Sequence, residues 1–380
     1  MLRTLSLSLL VTLAACGQST NPSDDLAVPD DLAAAPDLSV ADAATTPPDL
    51  ATSDLARPDL AMPDLAMPDL ATPDLVMPDL LVPVKPDLGP PDLALHTLQW
   101  SKQASGTANY LLGVWGSGSD DVYAVGLAGT IIHTTDGGAT WVAQASGTAK
   151  DLMSVWGSGA GDVYAAGSAG TILHTTNGGK QWTTLMSGTV SDLIDVWGSG
   201  AGDVYVSGDA GTILRSTDGG KTWGAQVAGA NVWLFGIWGS GAGDLYAVGR
   251  LSTIIHSTGN NAQWAAHASG SQNSLNYVWG SGAGDVYVVG DFGTILHSNG
   301  NGNWSKQVAG VGNSFWGAWG DGPGDVFVVG DTGTVLRTTD GGMTWGKEAT
   351  GTVNDLHRVW LNNAANVYAV GAKGTIIHGS

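Results

Sequence analysis

Histidine recurs at one position of a repeating unit in the last three-quarters of this 380-residue chain. The series is His133, His174, His256, His297 and His378. Imidazole binds transition metals, so five converging histidines could form a metal site. They can do so only if the elements that carry them bring the five side chains to one place.

Aspartate recurs in the same way, once per repeat, at the end of a Gly-Ser-rich segment. The series is Asp121, Asp162, Asp203, Asp244, Asp285 and Asp325, with Asn366 at the seventh position. A calcium loop needs several oxygen ligands, whereas each repeat supplies one carboxylate, so we interpret these residues as turn caps. Paired carboxylates for glycoside hydrolysis would also have to be aspartates, because Glu348 is the only glutamate in the sequence.

Seven tryptophans define the repeat and predict the elements. They are Trp115, Trp156, Trp197, Trp238, Trp279, Trp319 and Trp360, spaced 41, 41, 41, 41, 40 and 41 residues apart. A unit of this length, made of short strands and Gly-rich turns, is typical of one blade of a β-propeller. Only the innermost strand of each blade approaches the ring axis. The histidines belong to the third strand, so we expect them to bond within their own blades and to form no metal site.

Residues 152–186 show the four strands of one unit. The runs LMSVW, DVYAAG, TILHTT and WTTLM are predicted as strands A to D, from the innermost to the outermost, and none is long enough for a helix. We therefore predict an all-β, seven-bladed β-propeller of four-stranded blades over residues 94–380. The array begins with a lone strand D at Trp100 and ends with a strand C at Ser380. The N-terminal strand is thus predicted to complete the seventh blade and to close the ring.

The turn between strands C and D carries the motif S/T-x-D-x-G-x-T-W. Its copies contain Asp136, Asp218 and Asp340, with Asn177 in a fourth, and residues 257–264 and 298–304 are degenerate. This motif resembles the Asp-box, or BNR repeat. Over residues 95–380 the chain resembles propellers of the photosystem II stability and assembly factor type, and more remotely those of sialidases and sortilin. We interpret the box residues as structural, because an aspartate can cap a turn unaided.

Catalysis of the sialidase type would need an arginine cluster, a tyrosine nucleophile helped by a glutamate, and an acidic aspartate. The propeller contains only four arginines, and Arg215 and Arg337 stand at the histidine position of their repeats. We therefore assign no catalytic residues, no cofactor and no metal.

The N-terminus resembles a bacterial lipoprotein signal. Arg3 precedes an apolar stretch that is too short to span a bilayer, and Leu13-Ala-Ala-Cys16 matches a lipobox. The resemblance implies that residues 1–15 are a signal peptide and that Cys16 is lipidated and anchors the chain. Gly17, in place of an aspartate, favours the outer membrane of a bacterial cell envelope.

Residues 16–93 are predicted to be the lipidated cysteine and a disordered Pro-Asp-Leu-rich linker. From Gly17 to Leu93, 15 aspartates face Arg57 and Lys85, and the whole chain carries a net charge of −20. Charge repulsion and proline favour an extended tether. The same charge disfavours nucleic acid as a partner. We expect a monomer.

One face of the predicted disc is uniform and the other is variable. The A–B and C–D turns of the uniform face are nearly identical in most repeats, whereas the D–A and B–C loops of the variable face diverge. We predict that the variable face binds a ligand or partner, since function usually lies on loops held by a rigid frame. The predicted face residues are Tyr110, Trp233, Phe235, Arg250, Asn276, Tyr277, Phe292, Trp316, His357 and Arg358.

We therefore predict a membrane-tethered, non-catalytic binding or assembly propeller that presents its variable face to an envelope protein or glycan. The alternative is an envelope glycosidase or lyase on a sialidase-like ring. Clustering of Asp151, Asp192, Asp195 and Arg358 in a deep pocket, with a raised carboxylate pKa, would favour the enzyme. A broad aromatic surface would favour binding.

Overall fold

Seven four-stranded antiparallel sheets form a β-propeller. The computed structural model describes residues 98–259 and 263–380. The predictions for the signal peptide, Cys16 and the linker lie outside these residues. Among the described residues, regular structure is confined to strands and four 3₁₀ turns, and no helix is long and apolar enough to cross a membrane.

The strands follow the chain in blade order, except for the first. Blades 1 to 3 comprise β2 (Leu111–Gly116), β3 (Val122–Gly126), β4 (Thr130–Thr134), β5 (Val142–Ala143), β6 (Leu152–Gly159), β7 (Asp162–Gly167), β8 (Thr171–Thr175), β9 (Thr183–Met186), β10 (Leu193–Gly200), β11 (Asp203–Gly208), β12 (Ile213–Ser216) and β13 (Gly224–Ala225). Blades 4 and 5 comprise β14 (Leu234–Gly241), β15 (Asp244–Gly249), β16 (Ile254–Thr258), β17 (Trp264–His267), β18 (Leu275–Gly282), β19 (Asp285–Gly290), β20 (Thr294–Ser298) and β21 (Ser305–Lys306).

Blade 6 comprises β22 (Phe315–Gly320), β23 (Val326–Gly330), β24 (Thr334–Thr338) and β25 (Gly346–Lys347). Blade 7 comprises β26 (Leu356–Asn363), β27 (Asn366–Gly371), β28 (Ile376–Gly379) and β1 (Trp100–Gln103). The 3₁₀ turns lie in four B–C loops, at Leu127–Gly129, Asp209–Gly211, Asp331–Gly333 and Ala372–Gly374. The all-β, seven-bladed architecture predicted from the repeat is confirmed. Strand A is longer than predicted in blade 2, because β6 continues past Trp156 through the expected turn to Gly159.

β1 occupies the outermost position of blade 7. It pairs antiparallel with β28, with Trp100 opposite Gly379 and Gln103 opposite Ile376. Two of its side chains also bond neighbouring blades. Trp100 Nε1 donates to Glu348 in blade 6 at 3.2 Å, and Gln103 Oε1 accepts from Trp141 Nε1 in blade 1 at 2.9 Å.

The core lies between the blades. One aromatic ring from strand B of each blade is at most 1 % exposed, namely Tyr123, Tyr164, Tyr205, Tyr246, Tyr287, Phe327 and Tyr368. The repeated tryptophans pack inside this layer. Trp115 covers Gly157 of the next blade so closely that a Cβ there would lie 2.6 Å from Cη2 of the indole. The spacing of the tryptophans therefore reflects packing between consecutive blades.

Candidate binding surface

The repeated histidines and aspartates form separate pairs within single blades. His133 Nε2 lies 2.6 Å from Asp121 Oδ1, and the His133 ring stacks on Tyr123 at a centroid distance of 3.8 Å. The same pairing holds in blades 2, 4 and 5, and in blade 7 His378 bonds Asn366. No cluster of three or more potential metal-binding histidine, cysteine or acidic side chains occurs among the described residues.

In blades 3 and 6 an arginine takes the place of the histidine in this pairing. Arg215 Nε donates to Asp203 at 2.7 Å, and its guanidinium lies over Tyr205. Arg337 Nε donates to Asp325 at 2.9 Å and lies over Phe327 in the same way. The histidines, arginines and their aspartates thus hold strands B and C to the A–B loop, which explains their repetition without catalysis.

The aspartates of the C–D turns also bond locally. Asp136 accepts from Thr134 Oγ1, from Thr140 N and from Thr140 Oγ1, at distances of 2.6 to 2.9 Å. The hydroxyl and amide bonds from Thr140 and the bond from Thr134 lower the pKa of Asp136 to about 2. Asp218 and Asp340 repeat these contacts, and Asn177 accepts from Thr175 and Gln181.

Charged and polar side chains meet on the ring axis. Asp195, which is 1 % exposed, accepts from Ser154 Oγ at 2.7 Å and from Ile237 N at 3.0 Å. Burial raises the pKa of Asp195, although the charge of Arg358 opposes this effect. The Arg358 guanidinium lies 4.5 Å from the centre of the Tyr277 ring and donates to the carbonyl groups of Trp316 and His357.

The cavity beside this group is small. Residues of all seven blades line it, including Trp115, Trp156, Tyr277, Trp319 and Arg358. Its volume is about 20 Å³. The cavity is therefore far smaller than a usual small-molecule pocket of roughly 300–1,000 Å³.

Asp151 and Asp192 do not reach the axis. Each accepts from a loop tip of the preceding blade, Asp151 from Ala128 N at 2.8 Å and Asp192 from Ala169 N at 2.7 Å. Of the four residues whose clustering would favour an enzyme, only Asp195 and Arg358 approach each other. Ser154 also belongs to the axial group. It was not among the predicted site residues, although it occupies the same repeat position as Tyr277 and Arg358.

Three of the predicted face residues are buried, so a partner cannot contact their side chains in this conformation. Asn276, Trp316 and His357 are 5 %, 6 % and 2 % exposed. Asn276 Nδ2 donates to Phe315 O, Trp316 Nε1 donates to Asp331, and His357 Nδ1 lies 2.9 Å from Leu111 O. Tyr277 and Arg358 are partly exposed, but they belong to the axial group. Tyr110 is partly exposed and packs beside His357.

The remaining predicted residues belong to blades 4 and 5. Trp233 and Phe235 are partly exposed and meet edge to face at 6.1 Å, and the Arg250 guanidinium lies 6.0 Å from the Trp233 ring. On the adjoining B–C loops, Phe292 is 72 % exposed and Leu251 is 78 % exposed. Leu251 was missed, although the Arg-Leu-Ser sequence of its loop departs from the repeat. We call Trp233, Phe235, Arg250, Leu251 and Phe292 the blade 4–5 loop cluster.

A family model described as photosynthesis system II assembly factor YCF48 matches residues 93–379. The chain belongs to this family. No curated protein sequence matches it.

Solved YCF48 structures have the same fold. YCF48 bound to D1 peptide is 22 % identical, with a TM-score of 0.64 over 74 % of this chain and 96 % of that one. YCF48 from Cyanidioschyzon merolae is 18 % identical, with a TM-score of 0.63 over 74 % of this chain and 98 % of that one. Virginiamycin B lyase from Staphylococcus aureus reaches 0.64 at 14 % identity, over 74 % of this chain and 98 % of that one. An enzyme thus shares the ring, so the fold alone does not decide the function.

Proposed function

We propose that this YCF48-family chain is a non-catalytic binding and assembly propeller, tethered to a bacterial envelope through a lipidated Cys16. Its variable face binds an envelope protein. The family supports a role in assembly, and in one member the propeller is bound to a peptide. The tether rests on the lipobox and the Pro-Asp-Leu repeats of the sequence.

The observation that carries this proposal is the blade 4–5 loop cluster. The variable face carries a partly exposed aromatic pair beside an arginine, and an exposed leucine and phenylalanine at loop tips. At the positions of Trp233, Arg250 and Leu251 the other blades carry mostly small or polar residues. Aromatic residues and arginine are the side chains that contribute most to protein interfaces. Two large apolar side chains at loop tips contribute little to folding, because they bury little surface.

An envelope glycosidase or lyase is the second candidate. The raised pKa of Asp195 beside Arg358 and Tyr277 is the observation that favours it. Two features weigh against it. The cavity is small, at about 20 Å³, and the carboxylate is already bonded to Ser154 and a main-chain amide.

Affinity capture from solubilised native envelope tests the binding proposal. The full chain is compared with a Trp233→Ala/Phe235→Ala variant, and Met343→Ala is the control. Met343 is an equally apolar, 82 % exposed residue, but it lies in a C–D turn of the uniform face. We expect the double variant to lose specific captured proteins and the control to retain them.

Identical captured sets for all three proteins would contradict the proposal. Release of sugar fragments from purified envelope glycan by the wild type, and not by Asp195→Asn, would establish the enzyme instead. Retention of glycan in place of protein by the wild type would assign the face to a different class of ligand.

A further inference from the structure

The B–C loop of blade 4 differs from those of the other blades at one residue. Six blades place glycine at one position of this loop, with φ between 67° and 75°. A Cβ at any of these glycines would lie 1.7 to 2.2 Å from a main-chain oxygen. Blade 4 has Ser252 there instead, with φ of 62°, and its hydroxyl bonds Ser269 and Ser271 O. The loop thus keeps the left-handed main chain of the other blades, and the serine hydroxyl donates to a carbonyl oxygen of the neighbouring loop.

The residue before this position is left-handed in every blade, and in blades 4 and 5 it is large and apolar. Leu251 has φ of 55° and Phe292 has φ of 54°. Side chains with a Cβ are strained in this region, whereas glycine is not. Both side chains point into solvent and gain little from burial. The tips of the other five blades share this conformation, so blades 4 and 5 are distinguished by their large, exposed apolar side chains, which folding does not explain.

The main chain at these two tips also has unused donors. In blades 1, 2 and 6 the tip N–H donates to an aspartate of the next blade, for example Thr332 N to Asp355 at 2.7 Å. For Leu251 and Phe292 the corresponding residues are Ser274 and Ser314. Neither tip N–H has an acceptor within the described part of the chain. A bound polypeptide supplies carbonyl oxygens that suit such donors.

Negative charge flanks the cluster. Asp209 precedes the tip in blade 3, Asp291 precedes it in blade 5 and Asp331 precedes it in blade 6. Burial raises the pKa of Asp331, and the charges of Asp355 and Asp291 add to the effect, so Asp291, Asp331 and Asp355 lie near one another. Arg250 is the one cation of the cluster and already lies over Trp233. Complementary charge on a partner is therefore positive.

We propose that the blade 4–5 loop cluster docks a polypeptide segment in which apolar side chains are flanked by lysine or arginine. The apolar side chains contact Leu251, Phe292 and the Trp233–Phe235 pair. The basic side chains face Asp209, Asp291 and Asp331. This inference rests on the proposed binding function and adds the chemistry of the partner.

A random dodecapeptide display library, selected against the full chain, tests the inference. The comparison is a Leu251→Gly/Phe292→Gly variant, which removes both apolar side chains where glycine relieves strain. We expect peptides with lysine or arginine beside leucine, phenylalanine or tryptophan. Their dissociation constants should rise at least tenfold in the variant, and several-fold when NaCl is raised from 50 to 500 mM.

The matched control is Ala169→Gly/Thr332→Gly, which makes the same change at the same loop position of blades 2 and 6. We expect both double-glycine proteins to keep the wild-type melting temperature or exceed it, so that lost binding is not unfolding. The control should bind the selected peptides as the wild type does.

Three results would overturn the inference. Acidic or uncharged consensus peptides would refute the partner chemistry, and equal selection by wild type and variant would refute the site. Selection that enriches no peptide family would refute docking of a linear segment. None of these touches the proposed function, which fails if envelope capture is unchanged by Trp233→Ala/Phe235→Ala or if the wild type cleaves or retains envelope glycan instead.

Discussion

The third strand of each blade presents either histidine or arginine to the same aspartate, so the chain contains its own substitution series. In blade 2, His174 Nε2 lies 2.6 Å from Asp162 and the ring stacks on Tyr164. Arg215 makes the equivalent bond and ring contact in blade 3. The structural role therefore requires a planar donor group that also covers an aromatic ring.

We expect His174→Arg to leave the free energy of unfolding within about 0.5 kcal/mol of wild type, as is usual for a tolerated substitution. His174→Leu should lower it by about 1–3 kcal/mol, because Asp162 loses the partner of a largely buried carboxylate. Denaturant unfolding measures both. Equal destabilisation by arginine and leucine would show that the pocket is specific for imidazole.

The sequence predicted which residues vary between blades but not which way their side chains point. At the axial position, Gly317 lies between Tyr277 and Arg358 in blade order, and a Cβ on Gly317 would lie 3.0 Å from Arg358 Cα. Large and small residues thus complement each other across blades about 40 residues apart. Likewise Trp316 is buried because Asp331 accepts its indole N–H. Such pairings between loops have no local signature in the sequence.

At the scale of the element, the outermost strands of adjacent blades are joined by a repeated side-chain bond. A glutamine near strand D of one blade accepts from the indole near strand D of the next, as Gln144 Oε1, just after β5, does from Trp182 Nε1, just before β9, at 2.9 Å. The series is interrupted where the repeat lacks a suitably placed glutamine. In blade 2 Leu185 occupies the glutamine position, and the buried Nε1 of Trp223 in blade 3 has no acceptor among the described residues.

We expect Leu185→Gln to raise the free energy of unfolding by about 0.5–1.5 kcal/mol, the net contribution of one added hydrogen bond. Gln144→Leu is the reverse change one blade earlier. It should cost about 1–3 kcal/mol, because it leaves the Trp182 donor buried and unpaired. Thermal and denaturant unfolding of both variants measure the effect. A destabilised Leu185→Gln protein would mean that apolar contact outweighs the bond at this site.

For the whole molecule, the ring must close between blades 7 and 1, and His357 bonds across that junction. Its Nδ1 lies 2.9 Å from Leu111 O, and burial lowers the pKa of His357 to about 4. The unfolded chain, with a histidine pKa near 6.5, therefore binds more protons than the folded one between about pH 6.5 and 4. Stability should fall as the pH falls through that range, by about 3 kcal/mol at most for this residue.

His357→Asn is the matched variant for this prediction. Asn276 stands at the same repeat position and donates Nδ2 to Phe315 O, the counterpart of Leu111 O, at 2.9 Å. Asparagine should therefore keep the bond between blades and remove the titration. Burial raises the pKa of Asp195, which acts in the opposite direction, so the difference between wild type and variant isolates His357. Parallel stability curves from pH 7 to 4 would contradict the assignment.

Closure by β1 leads to the prediction with the largest expected effect. Deleting residues 95–105 removes the outermost strand of blade 7 together with the Trp100–Glu348 and Gln103–Trp141 bonds to blades 6 and 1. It also leaves β28 as an unpaired edge that can associate with other chains. We expect a sharply lower melting temperature and concentration-dependent aggregation. Adding the same residues after Ser380, through a turn copied from residues 134–141, should restore both properties, because strand D follows strand C in this way in the other six blades. An unchanged melting curve after the deletion would show that the ring does not depend on this strand.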